Sequence, residues 1–188
     1  MKKYITILIF SLFCVSLIAQ NKYPDYYSGR SSVKGRNTTY MVQRINSSLA
    51  IYNSSNKYDP EKKFYRVDGT QFSPGANLIQ NTYFKAFNFS FSLEREETLF
   101  LNYDYPTMMI TYIVDTSNGN TLEVRFLLYN DTCDLEHSIF SIEPEEIEIF
   151  ERNLKQYVKW EVGNSARDVP YCVMSQWAVS PSKMKDNE

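Results

Sequence analysis

The sequence predicts an α+β fold with a mostly antiparallel sheet, in which an N-terminal three-stranded meander precedes a C-terminal hairpin-helix-strand unit. Three observations lead to this prediction. Short alternating segments separated by turn residues fill the range 38–72, and a second pair of such segments fills 108–129. The strongest helical pattern follows, beginning at Pro144. Aromatic residues make up 15% of the chain, and Tyr and Phe favour strands.

The meander is predicted from three segments within 38–72. Polar and apolar residues alternate over 38–44, and a polar turn separates them from the apolar run 49–52, which together indicate a hairpin. The segment 63–67 is predicted to be the third strand, because Asp68-Gly69 is a strong turn pair. Residues 21–37 show no clear period and are predicted to form an ordered-to-mobile segment that leads into the meander.

Two periods compete in the next apolar stretch, 78–91. Phe84, Phe87 and Phe91 fit one face of a helix, whereas Phe87, Phe89 and Phe91 fit one face of a strand. The polar residues among them favour the helix, and the strand remains the alternative.

The C-terminal unit, 107–179, begins with a hairpin whose turn contains Asn118-Gly119, a pair that supplies the positive φ of tight turns. Pro144 suits the first turn of a helix, and acidic residues beside it suit the positive end of the helix dipole. Gly163-Asn164 is predicted to stop this helix, and 171–179 is the last strand. The apolar stripe of the helix comprises Ile147, Phe150, Leu154, Tyr157 and Val158.

An export signal is predicted at 1–19. Two lysines, an apolar run of 14 residues from Ile5 to Ile18, and Ala19 before a polar stretch form the three parts of a secretory signal. We expect the remaining 20–188 to form a single α+β domain, periplasmic or secreted, with no integral membrane span. Removal of the signal would leave 18 basic and 22 acidic residues, a net charge of −4 with no basic stripe, so no nucleic-acid partner is expected.

Loss of the signal would also remove one cysteine and leave Cys133 and Cys172. An even number of cysteines in an oxidising compartment predicts a disulfide between them, and two separate buried thiols are the alternative. A metal site is not predicted, because His137 is the only histidine and no Cys-x-x-Cys spacing occurs.

The reactive residues do not converge on a catalytic site. Cys133 lies four residues from His137, but we interpret both as loop residues, and no Gly-x-Ser-x-Gly or glycine-rich phosphate motif is present. No catalytic residue and no cofactor is predicted. Trp160 and Trp177 are possible ligand-stacking aromatics, and the alternative is that both complete the core between helix and sheet.

The order hairpin, helix, strand over 107–179 resembles the carboxy-terminal domain of TonB. This resemblance implies a fold unit rather than chemistry. Secreted bacterial proteins of unassigned function also look similar, and there the N-terminal half carries a stretch like Ile51-Tyr52-Asn53 to Asn56. The residues that resemble TonB are Met109 to Asp115, Gly119, Leu122 to Phe126, Lys155 to Trp160, and Val169-Pro170-Tyr171.

The expected function is that of a non-catalytic protein-interaction module of the cell envelope. Its partner would be an envelope protein or a peptide strand added to a sheet edge. The alternative is a glycan-binding or glycan-processing secreted protein that uses aromatic and acidic groups. A third possibility, an inhibitor of a foreign enzyme, is compatible with the small size of the domain but has no residue in its favour.

Overall fold

The computed structural model describes residues 26–101, 107–129 and 139–181. The predicted signal peptide, Cys133 and His137 lie outside these residues. The strands of the described part are β1 Ser32–Lys34, β2 Thr39–Ile45, β3 Ser48–Asn53, β4 Phe64–Tyr65, β5 Gln71–Phe72, β6 Ala76–Leu78, β7 Met108–Asp115, β8 Thr121–Tyr129, β9 Trp160–Val162 and β10 Tyr171–Trp177. The α-helices are α1 Gln80–Asn88, α2 Leu93–Glu96 and α3 Pro144–Tyr157.

A six-stranded antiparallel sheet is the centre of the fold. Its strand order is β1-β2-β3-β8-β7-β10, and every neighbouring pair is antiparallel. Two small antiparallel pairs, β4-β5 and β6-β9, accompany it. The predicted α+β class and the mostly antiparallel sheet are therefore confirmed.

The N-terminal meander differs from the prediction by one strand. The meander consists of β1, β2 and β3, whereas the segment 63–67 contributes β4 to a separate hairpin with β5. The far side of β3 is occupied by β8, so no place remains there for β4. The predicted lead-in, 21–37, also contains the strand β1, which was not predicted. A strand of three residues with only Val33 buried is too short to show a period.

The C-terminal unit has the predicted order of elements. Gly119 has φ +70° in the turn between β7 and β8, and Trp160 N–H donates to its carbonyl at 3.0 Å. The helix α3 begins at Pro144 with a capping box formed by Glu143 and Glu146, but it ends at Tyr157 rather than at Gly163. It ends early because the residues that follow it enter β9, which pairs with β6.

Helix packing covers one face of the sheet, here called the inner face. The helix prediction for 78–91 is confirmed by α1, which contacts α3. Five phenylalanines bring these helices against the sheet, with ring centroids about 5 to 6 Å apart. They are Phe87, Phe91, Phe100, Phe126 and Phe150. This aromatic cluster packs the helices on the inner face, and other elements pack on the opposite face.

The described residues cover the opposite face, here called the outer face, only at one end. There the β4-β5 hairpin packs Phe64 on Ile113 and Tyr171, which form a second, smaller core. The ring centroids of Phe64 and Tyr171 are 5.5 Å apart and their planes are nearly perpendicular. Among the described residues, no helix is both long and apolar enough to cross a bilayer.

Candidate functional site

The free edge of β10 is the first component of the candidate site. Among the described residues, β10 is the last strand of the sheet and pairs on one side only, with β7. Ala178 N–H donates to the Met108 carbonyl at 2.8 Å, which fixes the direction of the backbone groups along the strand. Because these directions alternate in an antiparallel pair, the N–H and C=O groups of Tyr171, Val173, Ser175 and Trp177 point away from β7.

The sequence of β10 does nothing to block this edge. Tyr171–Trp177 reads YCVMSQW, with no charged residue and no proline. Exposed edges of natural sheets are commonly protected by lysine, proline, bulges or short strand length. The opposite edge is protected in this way, because β1 has only three residues and ends with Lys34. The two edges of the sheet therefore differ in their capacity to accept another strand.

The end of the outer face that no described residue covers adjoins β10 and is apolar. One row of paired residues crosses four strands there, running from Trp177 through Met109 and Leu127 to Ala50. Trp177 is 43% exposed, and its ring centroid lies 5.2 Å from that of Tyr129. An added strand at β10 would extend this row by one position.

A pocket of about 280 Å³, here called the hairpin pocket, lies at the covered end of the same edge. The β4-β5 hairpin and the segments on either side of it form most of its wall. Val173 is the one residue of the main sheet that lines it, so the pocket opens at β10 rather than over the inner strands. Its charged lining residues are Glu61, Lys62 and Lys63, and its aromatic ones are Phe64 and Phe72.

Lys62 has a defined position in the hairpin pocket. Its Nζ lies 5.7 Å from the ring centroid of Phe64 and 5.5 Å from that of Tyr171. Two aromatic faces at these distances attract an ammonium group. Within the described ranges, no carboxylate lies within ion-pair distance of Lys62. Among the described residues, the Lys62 ammonium in this pocket therefore lies beside aromatic rings and outside any ion pair, although Glu61 also lines the pocket.

The two tryptophans proposed from the sequence have different environments. Trp160 is 6% exposed, its Nε1–H donates to Thr121 Oγ1 at 3.1 Å, and its ring meets Tyr112 edge to face. The core alternative thus describes Trp160, whereas Trp177 stands on the outer face where a ligand could reach it.

Cys172 is fully buried on the inner face of β10, and burial raises the pKa of its thiol to about 11. A thiol with this pKa is not a nucleophile at neutral pH. The predicted bridge requires Cys133, which falls outside the described residues, and Cys172 forms no disulfide with a residue that the structure describes. The pairing stays a prediction.

A second pocket, of about 430 Å³, lies between α3 and the start of β2 and contains a buried acid. Glu151 is 4% exposed, accepts a hydrogen bond from the Tyr40 hydroxyl at 2.6 Å, and has Lys155 Nζ at 3.7 Å. Burial and then the charge of Glu151 raise the pKa of Tyr40 far above its ordinary value. Asn53 Nδ2 also donates to this carboxylate, at 3.3 Å.

These contacts come from the protein itself, and the network joins the meander to α3. The nearby Glu148 behaves similarly, because its Oε2 accepts from the backbone N–H of Asn37 at 2.9 Å. The described residues contain no cluster of three metal-binding side chains.

Sequence reasoning did not locate the β10 edge or the hairpin pocket. The strand itself was predicted, but its place at the end of the sheet depends on long-range pairing that no local pattern encodes. The absence of charge in Tyr171–Trp177 does not mark it as an edge strand, since longer uncharged stretches occur at 45–56 and 69–84. Lys62 could not be identified, since its role follows from the folding of the β4-β5 hairpin over Tyr171.

Comparison with known proteins shows a shared fold. No protein-family model matches the chain, and no curated protein matches it. The crystal structure of a DUF5043 family protein from Bacteroides uniformis ATCC 8492 is similar, with a TM-score of 0.63 and 16% sequence identity. The similarity covers 84% of this chain and 95% of that protein. The chain therefore has the fold of a DUF5043 family protein, in line with the predicted similarity to proteins of unassigned function.

Proposed function

We propose that this chain is a non-catalytic, exported module of the cell envelope, periplasmic or secreted, that binds a partner polypeptide by adding one of its segments to β10. The observation that carries the proposal is the free edge, where four residues direct their backbone groups away from the sheet. Export rests on the predicted signal at 1–19. The proposed relation to TonB rests on the order of elements over 107–179 and adds no partner identity.

The energetics favour an extended partner. Each outward residue of β10 offers one N–H and one C=O, and a hydrogen bond formed there contributes about 0.5–1.5 kcal/mol net. Backbone pairing supplies affinity with little sequence preference, while side chains on alternate positions supply specificity. The apolar row ending at Trp177 gives one face of the added strand a surface to cover.

Amide hydrogen exchange combined with affinity capture tests this function. Residues 20–188 would be immobilised and exposed to cell-envelope extract, with the Ser175→Pro variant as the matched control. Proline at this position removes an outward N–H without removing a donor to β7. We expect a partner that the unmodified protein captures and the variant does not, and that slows exchange at the amides of Val173, Ser175 and Trp177.

Two results would contradict the proposal. One is a partner captured equally well by the Ser175→Pro variant, since such a partner binds elsewhere. The other is no captured partner together with unchanged exchange along β10 in the presence of envelope extract.

Glycan binding is the second candidate, and Trp177 is the observation that favours it. Its exposed indole stands beside Tyr129, and the hydroxyls of Thr111 and Ser175, 3.0 Å apart, lie two residues further along the same face. Aromatic rings with adjacent polar groups suit stacking against a sugar. A glycan array with the purified protein separates the candidates. Bound glycans that are lost in Trp177→Ala but kept in Val173→Pro, which removes an outward N–H and keeps the Ser175 hydroxyl, would favour glycans over a peptide strand.

A further inference from the structure

We propose that the hairpin pocket binds an acidic side chain, Asp or Glu, from the strand that is added to β10. This inference rests on the proposed function and specifies one chemical feature of the partner. It commits to an extended peptide with a carboxylate at one defined position.

The hairpin pocket lies beside the position that a strand added to β10 would occupy. A strand paired with β10 would lie about 4.8 Å beyond it. In antiparallel pairing, the partner residue opposite Val173 exchanges both backbone hydrogen bonds with it, and the two side chains lie on the same face. Val173 projects on the outer face and lines the hairpin pocket. The side chain opposite Val173 therefore projects toward the pocket.

The lining of the hairpin pocket is positively charged. Its three charged lining residues, Glu61, Lys62 and Lys63, sum to a charge of +1. Lys62 is the one whose exposed ammonium lies over the rings of Phe64 and Tyr171. An ammonium forms a stronger hydrogen bond with a carboxylate than with a neutral group.

Size and shape are consistent with a side chain rather than a larger ligand. The cavity of about 280 Å³ has room for a Glu side chain and for ordered water. The proline and phenylalanine residues of the wall suit the methylene groups of such a side chain, and the lysines suit its carboxylate. A lysine or arginine at this position of the partner would place like charges together.

Peptide selection tests the inference. A phage-displayed library of random nine-residue peptides would be selected on residues 20–188, and the selected peptides would be synthesised with Glu, Gln or Lys at each position. We expect an acidic residue at one shared position, with binding about two- to fivefold weaker when Gln replaces it, because Lys62 is exposed and water screens the ion pair. Lys62→Gln should remove this difference, and Lys62→Glu should reverse it in favour of Lys.

Two controls keep the outcomes separate. Lys34→Gln removes a lysine from the opposite edge of the sheet and should leave the preference unchanged. Strand addition is supported by peptides that the unmodified protein binds and Ser175→Pro does not. If such peptides show no preference for an acidic residue, or a preference that Lys62→Gln does not change, the inference about the pocket is overturned and strand addition stands. If no selected peptide is sensitive to Ser175→Pro, strand addition itself fails and the inference falls with it.

Discussion

Proline substitution at two neighbouring positions of β10 gives opposite predictions. The N–H of Met174 points toward the carbonyl of Tyr112 in β7, and Tyr112 is fully buried. Met174→Pro removes this donor and leaves a buried acceptor unpaired, which costs about 1–3 kcal/mol. The N–H of Ser175 points away from the sheet, so Ser175→Pro removes no ladder hydrogen bond. Any loss there should stay below about 1 kcal/mol.

Side-chain effects must be subtracted before the two prolines are compared. Met174 packs against the main core, and the hydroxyl of Ser175 lies 3.0 Å from that of Thr111. Met174→Ala and Ser175→Ala remove those contacts without changing the backbone. The quantity of interest is the proline variant minus the alanine variant at each position, in free energy of unfolding.

Urea denaturation of residues 20–188, followed by tryptophan fluorescence, measures that quantity. We expect a difference of about 1–3 kcal/mol at position 174 and a much smaller one at 175. Equal differences at the two positions would refute the assigned backbone directions. A larger loss at 175 than at 174 would mean that the register between β7 and β10 is shifted by one residue, which would turn the other face of β10 outward.

Three further predictions concern stability. Phe150→Ala should cost about 3–5 kcal/mol in a urea titration, because the ring is fully buried in the aromatic cluster. Tyr40→Phe should destabilise the protein at neutral pH by about 1–3 kcal/mol, because Glu151 loses a buried donor. The raised pKa of Tyr40 keeps its hydroxyl protonated in the folded state, whereas in the unfolded state the hydroxyl ionises above about pH 10. The free energy of unfolding should therefore fall as the pH rises above about 10. In Tyr40→Phe this fall should be smaller by about 1.4 kcal/mol per pH unit. Gly119→Ala should lower the melting temperature, because its Cβ would lie at the Trp160 carbonyl oxygen in a left-handed conformation.

Local signals predicted most of the elements. Alternation and turn pairs identified the β2-β3 and β7-β8 hairpins, and Pro144 with its acidic neighbours located the start of α3. The helix α1 was the favoured of two interpretations, since the spacing of Phe87 and Phe91 fits both periods. Each of these elements depends on residues close together in sequence, so its pattern can be recognised in one sequence without an alignment.

Long-range pairing decided the rest. The segment 63–67 contains a strand, but the strand sits on Tyr171 and Ile113 instead of joining the meander. Cys172 was predicted as half of a disulfide, and its burial on β10 neither requires nor excludes that partner. The proposed site combines Lys62 with Val173, which are far apart in sequence and meet only through the β4-β5 hairpin. No periodic pattern in the sequence predicts that these two residues line the same pocket.

The unequal edges of the sheet also limit how copies of this chain can assemble. An open fibre requires each molecule to offer both a donor edge and an acceptor edge, whereas β1 is too short to serve as either. Pairing between two β10 strands would use up both exposed edges and close after two molecules. Self-association through the uncharged strand that we propose as a receptor therefore stops at two molecules instead of seeding a growing polymer.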